Sequence, residues 1–391
     1  MSEWATLPFG ELYREPSRNG ISVTKASRGE GVPMVNMKEL FANDFISGQY
    51  SDLVPLTPAQ LEKWGLEDGD LLFGRRSLTL AGAGKVAILR SPPHRAVFES
   101  SMIRARLDGS RACPQFYFYL FRSRPGRQIM ETIVEQVAVA GIRSSDLARL
   151  KVPVPPLGEQ RRIAAVLGAM DDLIESNRAA IANLRAMGLA AYEAASDGGD
   201  VVRFAEVAAL VREGVRGDQL EGGTPYVGLE HFGTEGAGIT DIGDAASVDS
   251  GKSRFRAGDV LYGKLRPYFQ KVDRPGFDGV CSTELWVLRP TVSWGAATLH
   301  AIVARPEFTR FAMAGNTGTR MPRANWAHVA SMPVPVPPAA TRTRVDRHLD
   351  ALWRGVVGLS AEVSEMTNIR DSLLPLLISG QVQVNSEWLG E

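Results

Sequence analysis

Apolar residues recur at alternating intervals of four and three through two long stretches of this chain. In the first, Ile163, Leu167, Met170, Ile174, Asn177, Ile181, Leu184 and Gly188 keep that spacing. In the second, Val345, Leu349, Leu352, Val356, Leu359, Val363 and Met366 keep it, and Arg370, Leu373 and Leu377 continue it. A period of 3.5 held over more than three heptads predicts a long helix that buries one narrow stripe. Each helix is predicted to run roughly 33–36 residues, or about 50 Å at 1.5 Å per residue. One polar residue interrupts each seam, Asn177 in the first and Arg370 in the second. A buried Asn in such a seam costs stability and fixes register. Pro375 predicts a kink or a stop near the end of the second helix.

A helix of that length cannot cover its stripe against one small globular domain. Two matched seams most simply bury each other, and the long return between them suits an antiparallel pair; pairing of each with another protein is the alternative. Both helices follow a proline-rich stretch, "KVPVPP" from Lys151 and "MPVPVPP" from Met332. Proline fixes φ and lacks an N–H donor, so each stretch is predicted to be an extended strut that sets where its helix begins. Twice in one chain, this is architecture rather than a plain linker.

The segments outside the helices also echo each other. "GDLLFGRR" at Gly69–Arg76 parallels "GDVLYGKL" at Gly258–Leu265, each a Gly-Asp turn entering a strand. Each is followed by a polar or basic loop, "SLTLAGAGKV" or "RPYFQKV", and each segment closes on "AGIRSSDLARL" or "NTGTRMPRANWAHV". The predicted organisation is α+β. Two α/β domains, 1–155 and 198–338, alternate with two long helical segments, 156–197 and 339–384, that pair as an antiparallel coiled coil.

Composition narrows the function classes. The chain has 391 residues, 44% hydrophobic and 23% charged, a globular balance with ample core material. Its start has neither a basic nor an apolar signal region, and no apolar run approaches the roughly 20 residues that span a bilayer. Two distant cysteines, Cys113 and Cys281, argue against a disulfide framework or a zinc site. A cytoplasmic, metal-free chain is expected. Net charge is zero, which suits nucleic-acid binding poorly overall. The distribution is uneven: residues 1–155 hold 20 basic against 16 acidic side chains, residues 156–200 hold 4 against 7. Only 8 of the 44 basic residues are Lys. Arg reads guanine edges and phosphates bidentately, although a GC-rich genome gives the same bias.

No catalytic constellation is present. "AGAGKV" at Ala81–Val86 fails as a phosphate loop, because Thr79 stands at the first glycine position and Val86 follows Lys85. Dinucleotide, zinc-protease, nucleophile-elbow and amino-methyltransferase motifs are missing, and the five histidines (94, 231, 300, 328, 348) are scattered.

Four features together resemble the specificity subunits of type I restriction–modification systems. They are "VPVPPLGEQRRIAAVLGAMDDLI", the ending "IRDSLLPLLISGQVQV", the pair "GDVLYGKLRPYFQKV" and "GVCSTELWVLRP", and the duplication itself. The second strut departs from the family, with "PPAATRTR" in place of Pro-Pro-Leu-x-Glu-Gln. The resemblance implies two target-recognition domains, each reading one half of a split sequence in double-stranded DNA, held apart by the helix pair. It implies no catalysis and no cofactor in this chain. Two modification subunits would methylate adenine at N6 with S-adenosylmethionine, and restriction subunits would cleave with ATP and Mg. Half-sites about one helical turn apart, roughly 34 Å, are within reach of helices of this length.

Base reading and phosphate contact need Arg, Lys or other hydrogen-bonding groups on exposed loops. The candidates are Arg75, Arg76, Lys85 and Arg143 in the first domain, and Lys264, Arg266, Tyr268, Lys271, Arg320 and Arg323 in the second. Glu159, Gln160 and Arg161 open the first long helix, where they cap it or touch a modification subunit. Two other readings compete: a coiled-coil adaptor for proteins, and the DNA-recognition subunit of a methylation-only or other anti-phage defence system.

Overall fold

The computed structural model describes residues 4–136, 140–233, 238–315 and 321–384. The chain divides into two compact units. The first runs through Leu173 and resumes at Met366; the second is Ile174–Glu365. Each unit therefore combines one globular segment with part of both long helices.

The two seams form helices Leu157–Ser196 and Arg342–Ile378, 40 and 37 residues long. Within the first unit, Ile163, Ala164 and Leu167 share a core with Leu374, Leu377 and Ile378, while Asp171 meets Arg370 at 2.6 Å. Within the second, the Asn177 amide donates to Glu362 at 3.1 Å and the Leu184 side chain packs over Gly355. In both units the residue numbers on the facing helices run in opposite senses, so the pairing is antiparallel. None of the thirteen apolar seam positions is exposed: Ile163, Leu167, Ile174, Leu349 and Val356 are buried, and Met170, Ile181, Leu184, Val345, Leu352, Leu359, Val363 and Met366 are partly so; the polar Asn177 is buried as well.

Pro375 neither stops nor ends the second helix, which continues to Ile378. Proline removes the hydrogen bond that a residue at 375 would donate to the Asp371 carbonyl, and one further turn forms beyond it. The true stop is Gly380, whose φ of +68° closes the helix while the amides of Gln381 and Val382 return to the Leu376 carbonyl. Val382 and Val384 then fold back onto the first unit's core.

The proline stretches are extended, and each has a strand partner that the sequence pattern did not reveal. Lys151–Val154 pairs antiparallel with Ala5–Pro8, and Pro333–Val336 pairs with Asp200–Arg203. Each pairing joins the two ends of one globular segment. Two-stranded pairs tolerate proline because one edge of each strand needs no donor. A tyrosine hydroxyl bonds a proline carbonyl at the third position of both strands: Tyr117 donates to Pro153 at 3.2 Å, and Tyr192 donates to Pro335.

The main sheets repeat. In the first unit, Tyr13–Asn19, Met102–Leu107, Leu71–Gly74 and Val86–Leu89 lie side by side, with Phe45–Ile46 beyond them. In the second, Ala208–Val211, Leu285–Pro290, Val260–Gly263 and Val272–Asp273 take the same order. The register matches too: Gly74 opposes Met102, and Gly263 opposes Leu285. A parallel strand pair recurs beside each sheet, Val32–Val35 with Val97–Phe98 and Pro225–Val227 with Gly279–Cys281. The run "FYFYLF" is helical and buried at Phe116 through Phe121; it enters on Pro114 at the first helical turn. A segment apolar on every side is a core helix.

Candidate nucleic-acid interface

The Gly-Asp turn is where the repeat is anchored. Gly69 and Gly258 adopt φ of +80° and +89°, the left-handed region that favours glycine. The following carboxylates are buried and do the same two things. Asp70 accepts from the Glu67 amide at 2.7 Å, and Asp259 from the Arg256 amide at 2.9 Å. Asp70 also takes two bonds of 2.7 Å from Arg106, and Asp259 two of 2.7 Å from Arg289. Both arginines come from the neighbouring central strand, and planar two-point pairing holds strand to turn. Burial raises the Asp70 carboxyl above its ordinary value against the pull of Arg106, while its hydrogen bonds to Asp259 raise Arg289. The paired geometry is that of an ion pair in both units.

From that anchor each central strand delivers one loop. In the first unit the Gly74 amide donates to the Lys85 carbonyl and the Arg75 amide to Ser101, both at 2.8 Å. In the second the Gly263 amide donates to Lys271 at 2.8 Å and the Lys264 amide to Glu284 at 3.0 Å. The closing segments join alike: the Ile142 amide donates to Arg75 at 3.0 Å, and the Ala324 amide to Lys264 at 2.9 Å. The frame makes Arg75 equivalent to Lys264, and Lys85 to Lys271.

The candidate cations of each unit are thus brought together. Arg75 is partly buried and its side chain reaches the Ser100 carbonyl at 3.3 Å; Arg76, on a short strand paired with Gly141, is exposed. Arg143 follows directly and pairs with Glu135 at 2.8 Å, both side chains exposed. Lys264 is partly buried, and Arg266 holds φ of +50°. Arg323 bridges Glu284 at 3.0 Å, and its hydrogen bond holds that carboxyl below the ordinary range. The Lys85 Nζ donates to the Phe41 carbonyl at 2.7 Å, and the Lys271 Nζ to the Leu229 carbonyl at 2.5 Å. Burial holds the Lys85 ammonium below its ordinary value. Tyr268 is exposed and lies against Phe269, ring centroids 4.6 Å apart. Arg320 lies outside the described residues.

At the start of the first long helix, Gln160 is fully buried inside its unit. It accepts from the Cys113 amide at 2.8 Å and donates to the Pro155 carbonyl at 2.8 Å. Glu159 is partly buried and Arg161 is exposed. The sequence reading passed over the carboxylate partners Glu135 and Glu284, and over the apolar loop tips Leu78, Leu80 and Phe269. The tips carry a visible signal, apolar residues inside an otherwise polar loop. Among the described residues, no helix is long and apolar enough to cross a membrane.

Residues 1–186 match the family model for the type I restriction modification DNA specificity domain. The chain is 26% identical over 148 residues to the type I restriction enzyme EcoDI specificity subunit of Escherichia coli, covering 37% of this chain and 32% of that one. It is also 26% identical over 173 residues to the putative type I restriction enzyme MjaX specificity subunit of Methanocaldococcus jannaschii, 44% of this chain and 40% of that one. These matches span about a third to two fifths of the relatives' own length. A crystal structure of the type I restriction-modification S subunit from M. genitalium has the same fold, with a TM-score of 0.61, 16% identity and 96% of both chains covered.

Proposed function

We propose, from the match of residues 1–186 to the family model for the type I restriction modification DNA specificity domain, that each unit of this chain reads one half of a split sequence in double-stranded DNA. The carrying observation is the repeated frame. One set of backbone bonds presents a basic loop at the same point of both units, while the loop sequences differ. Phosphate contacts position such a loop and base contacts specify the sequence. Arg76 and Arg143 in the first unit, and Lys264, Arg266 and Arg323 in the second, are the side chains proposed to meet DNA. The surface ion pairs of Arg143 with Glu135 and of Arg323 with Glu284 are worth little in water and yield to phosphate.

In this reading the chain itself carries out no chemistry. It docks two modification subunits, which supply S-adenosylmethionine-dependent methylation of adenine N6, and restriction subunits where these are present. The exposed Arg161 and neighbouring Glu159 are the proposed docking positions at the helix start. The site of action is cytoplasmic DNA.

The test maps N6-methyladenine in DNA from cells carrying this chain and its modification partner. A split motif is expected. Arg76→Ala is expected to relax one half of it and Lys264→Ala the other, each by about 1–3 kcal/mol of discrimination where a base contact is lost. Absence of both a methylated motif and salt-dependent DNA binding by the complex refutes the reading and leaves a protein adaptor.

A further inference from the structure

The tips of the two equivalent loops are apolar and project into solvent. In the first unit Leu78 is 94% exposed and Leu80 50%. In the second Tyr268 is 49% exposed and Phe269 48%. Single exposed apolar side chains are ordinary. A pair at the same point of a duplicated frame, flanked by Arg75 and Lys85 in one copy and Lys264 and Lys271 in the other, is not. The second tip is also held at a conformational cost. Arg266 and Gln270, on either side of the turn Pro267–Phe269, both adopt φ of +50°. The turn persists because Pro267 is buried, the Arg266 amide donates to Pro322 at 2.8 Å, and Phe269 and Gln270 close back on Arg266 and Pro267. Strain at non-glycine residues marks positions that the surrounding structure over-determines. Here it lifts two aromatic rings out of the fold.

We propose that these tips are wedges, Leu78 with Leu80 and Tyr268 with Phe269, each entering between adjacent base pairs of its half-site. This rests on the DNA-reading function above. Apolar side chains that enter a base step unstack it and bend the duplex; Arg76 and Arg143 beside the first tip, and Lys264 and Arg266 beside the second, are the cations that meet the phosphates. The basic rim selects a polyanion as the occupant, and the apolar tip selects its base stack. The two tips differ in kind, aliphatic in one unit and aromatic in the other. Because the cost of unstacking depends on the step, the wedges add sequence preference at positions with no hydrogen-bonded base contact.

The experiment uses the full chain with its modification subunits and duplexes carrying the methylated motif. 2-Aminopurine is placed at successive positions of each half-site, leaving the adenine that becomes methylated unlabelled. Fluorescence is expected to rise severalfold at one step in each half on binding. Leu78→Ser with Leu80→Ser is expected to abolish the rise in one half only, and Tyr268→Ser with Phe269→Ser in the other only, with roughly tenfold weaker binding and an unchanged salt slope. Solvent-exposed tips leave the fold intact, which circular dichroism checks. A probe that stays dark at every step while the complex still selects its motif overturns the wedges and leaves the DNA-reading function standing. Loss of the modification subunits from the Tyr268/Phe269 variant also overturns them, by making that tip a protein contact. Absence of any sequence-selective binding by the unsubstituted complex overturns the function itself.

Discussion

Replacing Arg370 with Leu completes the apolar seam of the second long helix, and it is nevertheless expected to destabilise the first unit. The Asp171 side chain is only 4% exposed and the Arg370 side chain 13%. Asp171 accepts from the Arg370 guanidinium at 2.6 Å and from the Tyr119 hydroxyl at 2.7 Å, with Arg122 farther off at 3.8 Å. Arg370→Leu leaves that carboxylate buried with the hydroxyl and one distant cation. Breaking a buried pair from one side costs about 3–5 kcal/mol. Arg122 places this case near the lower end, about 3 kcal/mol. Asp171→Leu strands the guanidinium less, because Asp371 remains 2.7 Å away, but it orphans the Tyr119 hydroxyl at about 1–3 kcal/mol. The double variant buries neither charge and is expected to cost less than the two single losses summed, because only the Tyr119 hydroxyl, at about 1–3 kcal/mol, is left without its partner. Urea denaturation at neutral pH measures all three, with hydrogen exchange in residues 157–173 to localise the effect. At about 2–4 °C per kcal/mol, Arg370→Leu alone lowers the melting temperature by roughly 6–12 °C. A cost below about 1 kcal/mol for that variant, or additive single substitutions, refutes the argument, since the pair would then behave as a solvated surface bridge.

Two further outcomes follow from buried charges. Asp70→Ala and Asp259→Ala both remove a two-point partner from a strand arginine, and both are expected to destabilise their units by about 2–4 kcal/mol in denaturant titrations; equal stability with the parent chain sinks the view that the Gly-Asp turn is an anchor. In the second unit, His300 lines a cavity of about 260 Å³ beside Arg185, and its buried Nε2 has no hydrogen-bond partner among the described residues. Burial, opposed by Asp273 and aided by Arg185 and Arg274, holds its imidazole below the ordinary value. The unfolded chain therefore takes up a proton that the folded one refuses. This contribution is fully present above about pH 6.5 and is lost as pH falls below it, by up to about 1.4 kcal/mol per pH unit. His300→Leu is expected to flatten the stability profile between about pH 6.5 and 5; an unchanged slope refutes the assignment.

The helices were legible because a heptad seam is a local pattern repeated many times, and any register error would expose every apolar position in it. The Gly-Asp repeat was legible for a different reason: several of its positions are stereochemically constrained. Gly69 and Gly258 supply positive φ, the aspartates hold an amide and an arginine, and Gly74 leaves little room for a side chain, since a Cβ there would approach the Gly82 carbonyl to 3.0 Å. What escaped the sequence depends on residues far apart in the chain. Arg106 and Arg289 read as two more basic residues until the strands bring them onto Asp70 and Asp259, 36 and 30 positions away. The proline struts read as free-standing because nothing local says that Ala5–Pro8 or Asp200–Arg203 will pair with them. Lys85 and Lys271 were placed in the same class as Arg76, yet the fold spends a hydrogen bond from each ammonium on its own backbone. The frame repeats because its own packing demands those residues. The tips between the paired cations, Leu78 and Leu80 in one unit and Tyr268 and Phe269 in the other, meet no such demand from within the unit. Their divergence is what the proposed reading of two different half-sites requires.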